Sequence, residues 1–175
     1  VIKRLGAIAI EIPDELAAHP RIDEALATAV TMQTQRESAV IYPREGAPHI
    51  YWGSKQYLRL PPDAPMEGSL IVHSHALFSG VGDAGPSPED IERLWSAKVA
   101  GLLLRDRHAL WVIAFPMPIE EVHRRIIEDW IERDEDAISR HDEHLLCTIT
   151  SMALERPGLP FTLTRAREGK LGAHT

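Results

Sequence analysis

Apolar and polar positions change period several times along the chain, and each change marks an element. Ile8, Ile10 and Ile12 alternate with Ala9 and Glu11, the period-two pattern of a half-buried strand, and Pro13 with Asp14 ends it. Pro20 then opens a predicted helix over residues 20–36, where Ile22, Leu26, Ala29 and Val30 share one face and charges lie opposite. From Glu37 the pattern turns to strands. Residues 38–42 form a short apolar run, 43–46 a turn, 49–52 a returning strand and 57–60 a further pairing segment. Pro61, Pro62 and Pro65 mark a loop. Residues 69–75, with Leu70, Ile71 and Val72 in a row, form the clearest buried strand, and 101–104 and 110–115 read as two more. Between them lies a helix over 88–98.

After Pro116 and Pro118 the period is helical again. Ile119, Val122, Ile126, Ile127, Trp130 and Ile131 make one apolar stripe, and the helical reading runs to about Leu154 with a break near residues 134–136. Arg156-Pro157-Gly158 stops it. The pattern predicts an α/β fold, a mixed sheet flanked by helices. It divides the chain into a core over 1–118, an added C-terminal helical segment over 119–156 and a loose tail over 157–175. The stripe at 119–131 fits either a cover for the sheet or an interface, a homodimer seam included.

Composition narrows the partners. The chain of 175 residues carries 19 basic and 26 acidic side chains, a net charge of -7, which argues against a nucleic-acid surface. Hydrophobic residues make up 44%, enough for a packed core. Cys147 is the single cysteine, so an intrachain disulfide and a cysteine-rich zinc site are both excluded. The first twelve residues lack the pattern of a signal peptide, and no run reaches the roughly 20 apolar residues of a membrane span. The expectation is a cytoplasmic protein without membrane contact.

Candidate chemistry sits between the buried strand and the helix after it. His73 and His75 are two apart on a strand, so their side chains point the same way and can share a metal ion. Neutral imidazole is a preferred zinc ligand, and catalytic zinc commonly takes three protein ligands and a water. Asp90, in the first turn of the next helix, is the candidate third ligand. An ordinary explanation stands beside this one. Ser87 suits an N-cap, Pro88 the first helical position and Asp90 a reciprocal bond to the cap. His-x-His alone is weak as well. The conjunction of the two histidines, a loop and Ser-x-x-Asp opening a helix carries more than either part.

That stretch resembles the JAMM motif of MPN+ zinc metalloproteases, His-x-His followed by Ser-x-x-Asp. Gly82, Asp83, Pro86, Ser87 and Asp90 also match the Gly-Asp-x-x-Pro-Ser-x-x-Asp of bacterial RadC-type members. The resemblance implies a cytidine-deaminase-like architecture, His73, His75 and Asp90 as zinc ligands, and Ser87 as a stabiliser of the oxyanion. It implies a glutamate acting through the water, for which Glu37 is the candidate and Glu45 the alternative. It implies peptide or isopeptide hydrolysis, with a ubiquitin-like or sulfur-carrier protein as a fitting partner. Ala76 stands where many members have proline, and the loop from His75 to Ser87 is longer than usual, which leaves Ser79 with Asp83 as a second register. The match covers about 20 residues. A non-catalytic MPN-type scaffold is the competing reading, and the acidic balance argues against direct DNA binding. Elsewhere, His141 with His144 reads as a solvated helical face, and Trp52, Trp95, Trp111 and Trp130 as core or interface residues.

Overall fold

A computed structural model describes residues 1–6, 8–32, 35–55, 58–76, 85–106, 109–115 and 162–167. Its centre is a six-stranded sheet in the order β4-β3-β5-β6-β7-β8. The strands are β3 (Ser38–Tyr42), β4 (His49–Trp52), β5 (Leu70–Ser74), β6 (Gly101–Arg105), β7 (Ala109–Ala114) and β8 (Thr162–Arg167). β5 and β6 run parallel, and every other neighbouring pair is antiparallel. Three helices, α1 (Asp14–Ala17), α2 (Ile22–Thr31) and α3 (Pro88–Ser96), and a separate hairpin of β1 (Ile2–Leu5) and β2 (Ile8–Glu11) complete the described elements. This is the mixed-sheet α/β class that the sequence pattern predicts.

Both faces of the sheet are covered, which explains why β3, β5, β6 and β7 are buried along their whole length. Val40, Val72, Leu103 and Val112 face one way, into a cluster with Ile8, Ile10, Leu16 and Leu26 from β2, α1 and α2. Ala39, Ile41, Ile71, Leu104 and Trp111 face the other way, against Ile91 and Leu94 of α3 and Leu58 and Leu60. Parallel strands need a crossover, and α3 supplies it between β5 and β6. The start of α3 thereby follows the carboxyl end of β5, the end where open α/β sheets gather ligands. One glycine is needed for this packing. A Cβ at Gly101 would lie 2.7 Å from a Leu16 methyl and 2.8 Å from the Ile113 carbonyl oxygen.

Several boundaries differ from the sequence reading. The predicted helix over 20–36 is Ile22–Thr31, with α1 as a separate turn before it. The chain ahead of Ile8 is a strand, joined to β2 through Gly6 at φ 63°. Residues 58–60 are not a strand. The tail expected over 157–175 contains β8, paired with β7 from Ala114↔Thr162 to Ala109↔Arg167, so the sheet draws on residues beyond the predicted core of 1–118. Trp111 is fully buried, whereas Trp52 is 64% exposed on the edge strand. The helical segment expected over 119–156, with Trp130, His141, His144 and Cys147, lies outside the described residues. Among the described residues, no helix is long and apolar enough to cross a membrane.

Candidate metal centre

β5 places the two histidines. His73 is its fourth residue and His75 follows its last, so the pleat sends both to the α3 face while Ser74 points to the other. Both are buried, and their ring centroids are 5.0 Å apart, edge to face. His73 Nδ1 is 2.8 Å from the Ser38 carbonyl oxygen. A carbonyl only accepts, so Nδ1 carries the proton in that bond and Nε2 is the nitrogen turned toward the site.

Asp90 arrives from α3. Its Oδ2 accepts the Ser87 backbone N–H at 2.9 Å, and its own N–H donates to Ser87 Oγ at 3.1 Å. This is the reciprocal cap of a helix start. The same carboxylate spans both imidazoles, with Oδ1 3.6 Å from His73 Nε2 and Oδ2 3.3 Å from His75 Nε2. The cap fixes the direction in which Asp90 points, so capping is compatible with a place for Asp90 among the candidate ligands.

Glu37 comes from a third segment. It precedes β3 and extends the β3–β4 pairing by one step: its N–H donates to the Ser54 carbonyl at 2.8 Å and its carbonyl accepts from Gly53 N–H at 2.7 Å. Its side chain is buried. Oε1 accepts the Ala76 N–H at 2.8 Å, and Oε2 lies 3.3 Å from His73 Nε2. Glu45, the alternative, is exposed in the turn between β3 and β4. Ser79 and Asp83 lie outside the described residues.

Burial opposes charge on His73, but the Asp90 carboxylate, the hydrogen bond and charge of Glu37 and the Ser38 carbonyl together raise its pKa to about 9. Burial likewise opposes charge on Asp90, and His73, His75 and the Ser87 N–H outweigh it, holding the carboxyl well below the usual range. Two carboxylates thus act on one imidazole nitrogen. A divalent cation is the other positive charge that such a setting accepts.

The dimensions fit a small cation. Four ligands at 2.0–2.1 Å in a tetrahedron stand roughly 3.3–3.4 Å apart, and the separations of 3.3, 3.6 and 3.3 Å between the nitrogens and carboxylate oxygens lie close to those edges. Glu37, His73 and His75 each offer a donor atom within 4.8 Å of the other two, and all three are buried. They form a group that could hold a metal ion. Asp90 competes with Glu37 for the third place in that set. Asp90 is the better candidate for a fixed ligand, because it touches both imidazoles and is held by the cap.

Sequence reasoning reached all four of these side chains and Ser87. It missed two backbone groups, the Ser38 carbonyl and the Ala76 N–H, which orient His73 and Glu37. Only the alanine at 76, where proline would have no N–H, hinted at the second. No family model, curated protein or solved structure matches the chain. Assignment of chemistry therefore rests on the residues themselves.

Proposed function

We propose that the chain is a zinc-dependent peptidase or isopeptidase of the JAMM kind. One observation carries this reading. Glu37, His73, His75 and Asp90 come from three separate segments and converge, their imidazole nitrogens and carboxylate oxygens 3.3–3.6 Å apart. Two imidazoles and a carboxylate are a donor set that zinc takes in hydrolytic sites. Zinc held by His73, His75 and Asp90 would supply Lewis acidity, lowering the pKa of water toward about 7 and polarising a carbonyl.

The chain's own residues supply the rest. Glu37 Oε2 faces the His73 imidazole and accepts the proton of the attacking water, then returns it to the leaving amine. Ser87 Oγ accepts the Asp90 N–H, and its own hydroxyl proton serves the negative charge that grows on the substrate carbonyl oxygen. The Ser38 carbonyl and the Ser87 N–H hold His73 and Asp90 in place during the reaction. A peptide or isopeptide substrate, with a ubiquitin-like or sulfur-carrier protein as its source, follows from the motif resemblance.

The test is metal content of purified parent, His75→Ala and Asp90→Ala proteins, with the same samples assayed on a diglycine-linked fusion. The expected result is about one zinc per chain, lost in both variants, with cleavage by the parent alone. Zinc without cleavage of any diglycine or peptide substrate would favour the scaffold reading. No zinc after reconstitution would leave Ser87 and Asp90 as a helix cap and nothing more.

A further inference from the structure

Glu37 lies just beyond the last ladder pair of β3 and β4, and the pairing there is irregular. The register Ser38↔Trp52, carried one step further, would set Glu37 opposite Gly53 with both hydrogen bonds exchanged between these two residues. Gly53 N–H does donate to the Glu37 carbonyl, at 2.7 Å, but the Glu37 N–H donates one residue further on, to the Ser54 carbonyl at 2.8 Å. Two residues on one side thus stand opposite one on the other, which is a β-bulge. We propose that the Gly53–Ser54 bulge is a positioning element: it sets the backbone of Glu37 so that the carboxylate reaches both Ala76 and His73, with Oε2 as the one oxygen that takes and returns the proton. The proposal rests on the peptidase reading above and adds to it the residues that aim the proton acceptor.

Three observations support this role. Bulges bend a strand, raise its local twist and re-aim a side chain, and the residue that faces this bulge is Glu37 itself. On the other side, the register Ser38↔Ser74 carried one step further sets Glu37 opposite His75. Its carboxylate reaches past that residue in both directions. Oε1 accepts the N–H of Ala76 at 2.8 Å, and Oε2 lies 3.3 Å from His73 Nε2. One side chain spans two attachment points along β5, and a turn of its backbone would break one of them. Glu37 is also 3% exposed, so these protein groups, and not solvent, set its orientation.

The division of labour between the two oxygens has a chemical consequence. With Oε1 engaged by Ala76 the carboxylate cannot rotate freely, and Oε2 is presented at one place. Proton transfer depends steeply on such placement. A bulge on an edge strand can also serve only to end the pairing there. The two roles differ in what happens at Ala76 and at Oε2 when the bulge is removed.

The test compares the full-length parent with two variants, each checked for folding by circular dichroism. Deletion of Ser54 leaves Gly53 alone to pair with Glu37. Gly53→Pro removes the N–H that donates to the Glu37 carbonyl, and it carries the test if the deletion does not fold. Amide hydrogen exchange, followed residue by residue by NMR, reads the Ala76 bond without metal or substrate. In both variants the protection of Ala76 should fall at least about tenfold, as expected for loss of one hydrogen bond to a charged group, while Val72 in the middle of β5 keeps its parent value. Ser54→Ala, which keeps the bulge backbone, should keep the protection of Ala76. On a diglycine-linked fusion, kcat should fall at least about tenfold in both variants, with KM and zinc content as in the parent. The deletion should cost less when made in Glu37→Asp, whose shorter carboxylate is already out of place, because it acts through that residue. Parent-like protection of Ala76 in the folded variants would overturn the proposal. An equal loss of kcat with and without Glu37→Asp would overturn it too, and would leave the bulge as the end of an edge strand. A parent that cleaves no diglycine or peptide substrate would overturn the proposed function and this inference together.

Discussion

At the scale of single residues, the buried polar groups are organised by what each one can donate. His73 shows this at the site, where a carbonyl on Nδ1 decides which nitrogen faces Glu37 and Asp90. His19 shows it far from the site. Its Nδ1 accepts the Arg21 N–H at 3.2 Å, so its proton sits on Nε2 and goes to the Gly68 carbonyl, also at 3.2 Å. Burial lowers the pKa of His19; the Gly68 bond opposes this, and Arg44 and Arg21 add to the lowering. Its folded value therefore lies below the unfolded value of about 6.5. Stability linked to His19 is fully present above the unfolded value and is lost as pH falls through the folded one. Denaturant midpoints at pH 7 and pH 5 should show a steeper acid loss in the parent than in His19→Gln. Equal slopes would mean that other groups set the acid limit. Asp106 makes a second case: its two carboxylate oxygens accept the Ala109 N–H at 2.6 Å and the Trp111 indole N–H at 2.7 Å. Asp106→Ala removes the acceptor of both bonds, at about 1–3 kcal/mol each, and should lower the denaturant midpoint. Asp106→Asn, which keeps an acceptor, should lose less.

At the scale of elements, packing sets what sequence patterns can reveal. β5 was legible because a strand covered on both faces reads as a continuous apolar run ending in His73 and His75. The start of α3 was legible because Ser87, Pro88 and Asp90 are cap residues by chemistry. Glu37 was reached through the motif resemblance, which implies a glutamate between the first helix and the next strand, where Glu37 stands before an apolar run. β1 was not legible, since Lys3 and Arg4 on a partly exposed hairpin leave no apolar period. β8 was hidden for a related reason: an edge strand of Thr162, Thr164, Arg165 and Arg167 has the composition of a tail until β7 is there to pair with it. α1 is one turn long, too short for any period to show. Gly101 belongs to this scale as well, because it lets α1 close on the sheet. Gly101→Ala forces a methyl against Leu16 and the Ile113 carbonyl, and the latter cannot move without disturbing β7. A loss of about 1–3 kcal/mol in equilibrium unfolding is expected. A neutral result would mean that Leu16 and β7 shift freely.

At the scale of the molecule, the proposed metal centre joins parts of the chain that are far apart in sequence. Glu37 enters ahead of β3, the histidines end β5, and Asp90 opens the crossover helix to β6. In the folded chain His73 Nε2 already lies 3.3 Å from Glu37 and 3.6 Å from Asp90, and His75 Nε2 3.3 Å from Asp90, while the unfolded chain holds no such arrangement. A cation that binds this set binds the folded state alone and stabilises it by mass action, about 2.7 kcal/mol at a concentration 100 times its dissociation constant. For a chain of 175 residues that corresponds to a rise of about 5–10 °C in Tm. Thermal melts of chelator-treated parent, with and without added zinc, should show this rise, and Asp90→Ala should show little of it. A similar rise in the parent and in Asp90→Ala would place the stabilising cation elsewhere and separate the fold from the chemistry proposed for it.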